Sequence, residues 1–300
     1  MKDTRILVTG AAGKTGGAVV QQLLERDFPV RALVRSRDER AARLAASGAE
    51  IVVGDLHNLE SIRSAMRGVE RVYFVYPPQG EHLVEASTIA AVTARDAGVE
   101  ALVNMSQISA RSESLSPLSR QHWLAENILD WADIGAVHVR PTFFAENLLM
   151  FGAATVASEG KLYLPFGNEK HAPVSAADIA RVVVGILSAP DDHVGERYVL
   201  TGARNLSIAE MAEVLSNEVG KRIEYVDLPV ESWGQVLRGV QGMSDSLVTH
   251  LKAVAVDHQN GIFRGETDVV ERIGGQPPQT LEEFVHEHRA VFGAAQAVAS

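Results

Sequence analysis

"VTGAAGKTGGAV", residues 8–19, carries two rival loop patterns in one stretch. Gly13-Lys14-Thr15 ends the way a nucleotide-triphosphate loop ends. Such a loop also needs a glycine followed by four residues before its Gly-Lys-Thr, and that position here is Val8. The triphosphate reading therefore fails. Gly10, Gly13 and Gly16 form G-x-x-G-x-x-G between an apolar run and a helical pattern. In a dinucleotide site the first glycine allows the tight turn and the second a close backbone approach to pyrophosphate. The third lets the helix pack on the sheet, and the free N–H groups at the helix start face the negative charge. A glycine-rich turn without a ligand is the plainer alternative. The position of the loop in a strand–loop–helix unit favours cofactor binding, with Ala11, Ala12, Lys14 and Thr15 as its other members.

From that loop outward the chain alternates. Apolar runs at 5–10, 29–35, 50–56, 71–77, 101–109 and 136–144 read as strands. Helical patterns lie between them at 14–26, 37–48, 58–68, 81–97 and 116–135. Alternation of this kind predicts parallel strands joined by right-handed crossovers. In the 116–135 helix Ser116 is the expected cap and Pro117 the first residue, with Leu124, Ile128 and Trp131 as the apolar stripe. Beyond residue 150 the texture changes. A helix at 174–187 capped by Ser175 precedes strands at 196–202 and 222–229. Helices at 206–220 and 280–293 each open with a capping box, Ser207 with Glu210 and Thr280 with Glu283. The segment 235–275 has no clear assignment, and 294–300 reads as a frayed tail.

Composition narrows the function. The 300 residues include 28 Lys and Arg against 38 Asp and Glu, a formal net charge of -10. No basic block exists for nucleic acid, whose phosphates need clustered cations. There are no cysteines, which excludes disulfides, thiol nucleophiles and thiolate metal sites. No metal is expected. Neither a leader nor a run of 18 apolar residues is apparent, so the expectation is a soluble cytoplasmic protein without membrane contact.

At the end of the second strand an NAD site places an acid for the ribose 2′-hydroxyl. This chain has Arg35 and Arg37 there. A guanidinium suits a 2′-phosphate, so NADP(H) is expected over NAD(H), with NAD(H) still possible. A solvated basic turn is the bland alternative.

These residues resemble the extended short-chain dehydrogenase/reductase superfamily, and more closely its atypical NmrA-like branch. That branch includes NAD(P)H-dependent quinone reductases, triphenylmethane reductases and redox-sensing regulators. The likeness covers nearly the whole chain and rests on "VTGAAGKTGGAV", "LVR", "VVGDL", "RVYFVYPP", "VNMSQIS", "QHWLAEN", "VRPTFFAENLL" and "PVSAADIARV". It implies a Rossmann-type doubly wound α/β fold with a smaller C-terminal α/β substrate lobe. Residues 1–150 would bind the cofactor and 151–300 the substrate, with about 170–202 returning to the first unit. By the same resemblance Asp55 and Leu56 touch adenine, and Val75, Tyr76 and Pro77 line its ribose. Ser106 lies near the nicotinamide ribose, and Pro141, Thr142 and Phe143 pack along the nicotinamide. Asp55 equally suits a helix cap, and Phe143 and Phe144 equally suit a core.

The superfamily's usual proton donor, Tyr-x-x-x-Lys, is missing, since none of the five tyrosines has lysine four residues on. The matching helix holds His122 and, one turn later, Glu126. His122 is the candidate acid–base group, with Glu126 orienting it, against the alternative of a surface pair. The expected activity is NADPH-dependent hydride transfer to a quinone-like or conjugated aromatic acceptor. Phe143, Phe144, Trp233 and Met243 are its candidate apolar walls. A non-catalytic dinucleotide sensor acting through a protein partner is the second reading. A small-molecule acceptor is the expected partner, and the protein is a monomer or homodimer.

Overall fold

The buried strand β1 (Ile6–Val8) runs into the glycine loop and then α1 (Lys14–Leu24), whose Val19, Val20 and Leu23 lie buried against the sheet. This computed structural model describes residues 4–77, 82–240 and 242–293; the tail at 294–300 lies outside them. The alternation continues through β2 (Val30–Val34), α2 (Glu39–Ala46), β3 (Glu50–Val53), α3 (Leu59–Met66) and β4 (Arg71–Phe74). It goes on with α4 (Leu83–Ala97), β5 (Ala101–Met105), α5 (Pro117–Trp131) and β6 (Ala136–Pro141). Then come α6 (Glu146–Phe151), α7 (Ala153–Glu159), β7 (Lys161–Leu164), α8 (Ala176–Ser188) and β8 (Arg197–Leu200). The chain closes with α9 (Ile208–Val219), β9 (Glu224–Asp227), α10 (Val230–Arg238), α11 (Asp245–Gln259), α12 (Val269–Gly274) and α13 (Leu281–Gly293).

Seven strands form one parallel sheet in the order β3-β2-β1-β4-β5-β6-β8. This is a Rossmann-type doubly wound fold. Helices cover both faces, which is why β1, β2 and β5 are buried along their whole length. One core lies under α1 and α8, and the other under α3, α4 and α5. Each fully buried Val, Leu or Ile contributes about 1.5–3 kcal/mol, so the sheet is held chiefly by these two layers.

A third core belongs to the C-terminal lobe. There the two parallel strands β7 and β9 pack with α6, α7, α9, α10, α11 and α13. Segment 174–200 contributes α8 and β8 to the main sheet. The unassigned stretch 235–275 contains the end of α10, all of α11 and all of α12. Val269 and Val270 of α12 join the core beneath α8, while Val248 and Ala255 of α11 join the lobe core. Together they tie the lobe to the sheet.

The cap signals form as the sequence predicts. Ser116, Ser175 and Ser207 each accept a hydrogen bond from the backbone N–H three residues on. Glu210 and Glu283 complete their boxes. The apolar stripe of α5 is a correction. Trp131 is 78% exposed and Leu124 is exposed too, while Leu118, His122, Ala125, Glu126 and Leu129 face inward. A buried ion-pair network has taken the inner face, so the polar Glu126 outranks the tryptophan. No described helix is long and apolar enough to cross a membrane.

Candidate active site

In a doubly wound sheet the ligand crevice opens where strand order reverses, at the carboxyl ends of the strands. Here the reversal falls between β1 and β4. Gly10 follows β1, Arg35 follows β2, Asp55 and Leu56 follow β3, and Val75, Tyr76 and Pro77 follow β4. Ser106 follows β5, Pro141 ends β6, and Thr142 and Phe143 come next. The topology thus gathers residues from six separate stretches on one edge.

The loop is built for backbone contact. Gly10 adopts φ +55°, and a Cβ there would lie 2.7 Å from Val75 Cγ1. A Cβ on Gly16 would sit 2.3 Å from the Gly10 carbonyl oxygen, so no larger residue fits without moving the loop. Thr9 locks the two switch-point strands together: Val75 N–H donates to its hydroxyl at 2.8 Å, and the hydroxyl donates to the Val75 carbonyl at 3.0 Å. Ala11, Thr15 and Gly16 are buried, whereas Gly10, Gly13 and Lys14 are exposed. Gly13 caps α1 without a side chain, and the first turn of that helix holds no acid. Its N–H groups are therefore free for an anion, as a pyrophosphate requires. A cleft of ≈ 240 Å³ borders Ala11, Ala12 and Gly13 and is flanked by Arg40 and Arg43 of α2.

At the next strand ends, Arg35 is 83% exposed and lies 3.8 Å from the Asp55 carboxylate. Asp55 does not cap α3. Asn58 does, accepting from Ser61 N–H at 2.9 Å, and Asp55 instead accepts from His57 N–H at 3.0 Å. That backbone bond holds its carboxyl below the usual range. His57 Nε2 lies 3.0 Å from the Tyr76 hydroxyl, which also accepts from His82 N–H. His57, Arg40 and Arg43 lay outside the sequence reading; no motif marks them, since they come near the loop only through the strand order.

At β5 and β6, the Ser109 hydroxyl is buried with no hydrogen-bond partner, and the buried Ser106 hydroxyl helps hold the Glu126 carboxyl low. Thr142 Oγ1 donates to the Ala172 carbonyl at 2.7 Å. Phe143 and Phe144 point to opposite sides. Phe144 packs on the sheet core and Phe143 on the lobe core. Phe143 meets Phe166, His171 and His258 at ring-centroid distances of 5.6, 5.0 and 5.8 Å. Met243 packs on the lobe core. Trp233 is only 3% exposed, packed on Phe151 and Phe166. It is a core residue, linked to Phe143 through Phe166.

The expected pairing of His122 with Glu126 does not form. Glu126 is fully buried, and Arg140 takes both its oxygens at 2.9 and 2.5 Å, with Arg197 also in reach at 3.3 Å. Burial alone would raise this carboxyl, but the Arg140 hydrogen bonds and charge outweigh it and hold the pKa low. His122 is buried with Nδ1 unpartnered. Burial, helped by nearby His250, pushes its pKa down to about 3, below the range a cationic donor needs at neutral pH. His250 reaches in from α11, its Nδ1 2.7 Å from the Ser116 hydroxyl. Seven residues later on that helix Asp257 receives Arg111 at 3.0 and 2.5 Å. The lobe is thereby fastened to the loop after β5. Among the described residues, no group of three or more His, Cys, Asp or Glu is placed to hold a metal.

Fold and loop together define a dinucleotide-binding protein. Comparison with known sequences agrees, since the profile of the NmrA-like family matches residues 2–285. The chain belongs to the NmrA-like family. It is 35% identical over 293 residues to a protein named NAD(P)H azoreductase from Xenophilus azovorans, spanning 97% of this chain and 100% of the relative. Among solved structures it resembles an NADPH-dependent quinone oxidoreductase from Escherichia coli complexed with NADPH. There the TM-score is 0.83 and the identity 26%, over 94% of this chain and 99% of that one. A Citrobacter sp. triphenylmethane reductase complexed with NADP(H) also gives a TM-score of 0.83, at 24% identity and the same coverage of 94% and 99%. That last likeness speaks to fold alone.

Proposed function

We propose that this chain is an NADPH-dependent reductase that delivers hydride to a quinone-like, azo or other conjugated aromatic acceptor. Several of its relatives are named as oxidoreductases or reductases. The full-length likeness to an NAD(P)H azoreductase carries the reading, and the open glycine loop supports it. The loop from Gly10 to Gly16 holds the pyrophosphate, and Arg35 faces the 2′-phosphate. Asp55, Leu56, Val75, Tyr76 and Pro77 border the adenosine. Ser106, Pro141, Thr142 and Phe143 border the nicotinamide. Residues 1–150 with about 170–202 form the cofactor unit, and the remainder forms the acceptor lobe of a cytoplasmic enzyme.

A bound nicotinamide supplies the hydride. The chain positions the acceptor, keeps water from the hydride and offers hydrogen bonds to the atom that gathers charge. His122 acts there as a neutral hydrogen-bonding group, and the proton that completes reduction comes from water. A non-catalytic sensor would need the same loop but no acceptor chamber.

Loss of reduced-nicotinamide absorbance with a panel of quinones, azo dyes and aldehydes tests the reading, with NADH in parallel. Turnover with NADPH above NADH is expected, and Arg35→Ala should narrow that preference. His122→Ala should lower kcat about tenfold, the worth of one hydrogen bond. Tight NADPH binding without turnover of any acceptor would move the assignment to the sensor.

A further inference from the structure

Two histidines and three phenylalanines meet where the carboxyl edge of the sheet touches the lobe. His171 precedes the segment that bridges Val174 to Phe144, so it is held beside the end of β6. His258 comes from α11 on the opposite side. Their ring centroids are 4.5 Å apart. The His258 ring is stacked between Phe166 at 4.1 Å and Phe263 at 3.7 Å. Phe143, the first lobe-facing side chain beyond β6, packs edge-on against both imidazoles.

Both histidines are buried, and three of their four nitrogens have no hydrogen-bond partner: Nδ1 and Nε2 of His171, and Nε2 of His258. Buried polar atoms in proteins are nearly always partnered, because leaving one bare costs its full hydration. An apolar side chain of similar shape would fill either position without that loss. A neutral imidazole offers one N–H donor and one bare nitrogen acceptor. Flanking rings favour a flat aromatic guest through stacked and edge-on contacts. A metal is a poor match, because no third ligand joins the pair among the described residues.

We propose that His171 and His258 form a clamp for the heteroatom of a planar aromatic acceptor, with Phe143 and Phe166 holding its ring. The clamp is the polar end of the reductase site and rests on that reading. One hydride from NADPH and one proton from solvent convert a quinone to its hydroquinone and leave NADP+. The electron pair displaced by the hydride collects on the acceptor oxygen, and the imidazole N–H groups hydrogen-bond to that oxygen as its charge grows. Phe263 is the movable wall. It lies between Gly261 and Gly265, whose φ values are +76° and +123°, and its ring swings aside to admit the guest to the imidazole nitrogens.

The test uses the full chain loaded with NADP+, with 2-naphthol and naphthalene as probes that differ only by a hydroxyl. Turnover of 1,4-naphthoquinone with NADPH runs alongside. Wild type should bind 2-naphthol about tenfold more tightly than naphthalene. His171→Leu and His258→Phe should erase that preference while leaving naphthalene binding, NADPH affinity and Tm in place. His171→Gln, which keeps a donor and an acceptor, should restore part of it. Naphthoquinone kcat should fall at least tenfold in the same two variants, more than KM rises. Phe263→Ala should tighten binding of both probes, and weaker binding there would overturn the role of Phe263 as a wall that moves aside. A hydroxyl preference that survives both histidine variants would overturn the clamp and leave the reductase reading standing. A preference erased as expected, in a protein that reduces no acceptor, would uphold the clamp and remove the reductase reading. Equal binding of the two probes by wild type would overturn the clamp outright.

Discussion

Strand β6 carries two buried polar clusters of opposite character. Toward its start and middle, His138 and Arg140 enter a network in which the charges and ring nitrogens are paired. Asn104 meets His138 Nδ1 at 3.1 Å, and His138 Nε2 meets Asp130 at 2.9 Å. Asp130 and Glu126 share Arg197, and Glu126 takes Arg140 as well. Just past the end of the strand, Phe143 packs into the ring cluster where His171 and His258 have almost no polar partners. The first cluster is complete within the chain and joins α5, β5, β6 and β8 in one arrangement. The second is incomplete within the chain. A satisfied network stabilises, and an unsatisfied one marks where the fold has been shaped for another molecule.

Acid should separate the two clusters most strongly. Burial pushes His122 and His171 down to about 3, His250 down to about 4, and His258 well below its ordinary value. Between about pH 6.5 and 4 the unfolded chain therefore takes up protons that the folded chain refuses. Stability is whole above pH 6.5 and falls as pH drops, by up to about 1.4 kcal/mol per pH unit for each such histidine. Urea unfolding across that window should show the slope, and His171→Leu should reduce it. A flat profile would mean that these imidazoles are hydrated in solution.

Next in size is the network itself. Glu126→Ala strands Arg140 in a buried site and should lower stability by about 3–5 kcal/mol, read from the denaturant midpoint at pH 7. A loss under about 1 kcal/mol would place Glu126 among ordinary surface pairs. The smallest effect sharpens the contrast. His171→Leu removes bare polar atoms, so it should leave Tm unchanged or raise it, by up to about 1–3 kcal/mol in stability at neutral pH. A loss as large as that of Glu126→Ala would show that His171 has a structural partner after all.

The glycine loop was legible before any coordinates, because its meaning lies in spacing along a single strand–loop–helix unit. So were the parallel sheet and the helix caps, which are likewise local. The candidate site residues at strand ends were named through family resemblance, and the topology brings them to one edge. Arg40 and Arg43 were not, since nothing in their neighbours along the chain sets them apart, and His57, though next to Leu56, shows its link to Tyr76 only in the fold. Of the expected stripe Ile128 packs on the core, but Leu124 and Trp131 misled because hydrophobic spacing shows which face of a helix is apolar. It does not show that two neighbouring strands, β6 and β8, will each offer an arginine to the opposite face. Trp233 misled for a related reason: an aromatic side chain in an unassigned stretch carries no sign of whether it lines a site or fills a core.

By itself, the sequence determined the sheet's handed alternation, the loop with no room for a side chain at Gly16, and the absence of the Tyr-x-x-x-Lys donor. These follow from short-range sterics and from which residue types are present. Only the tertiary structure decided that Glu126 serves Arg140 instead of His122, and that His171 and His258, 87 positions apart by their numbering, share one unpartnered chamber. Both outcomes turn on which polar atoms lose water together, and that is set by the packing of α5 and α11 against the sheet edge.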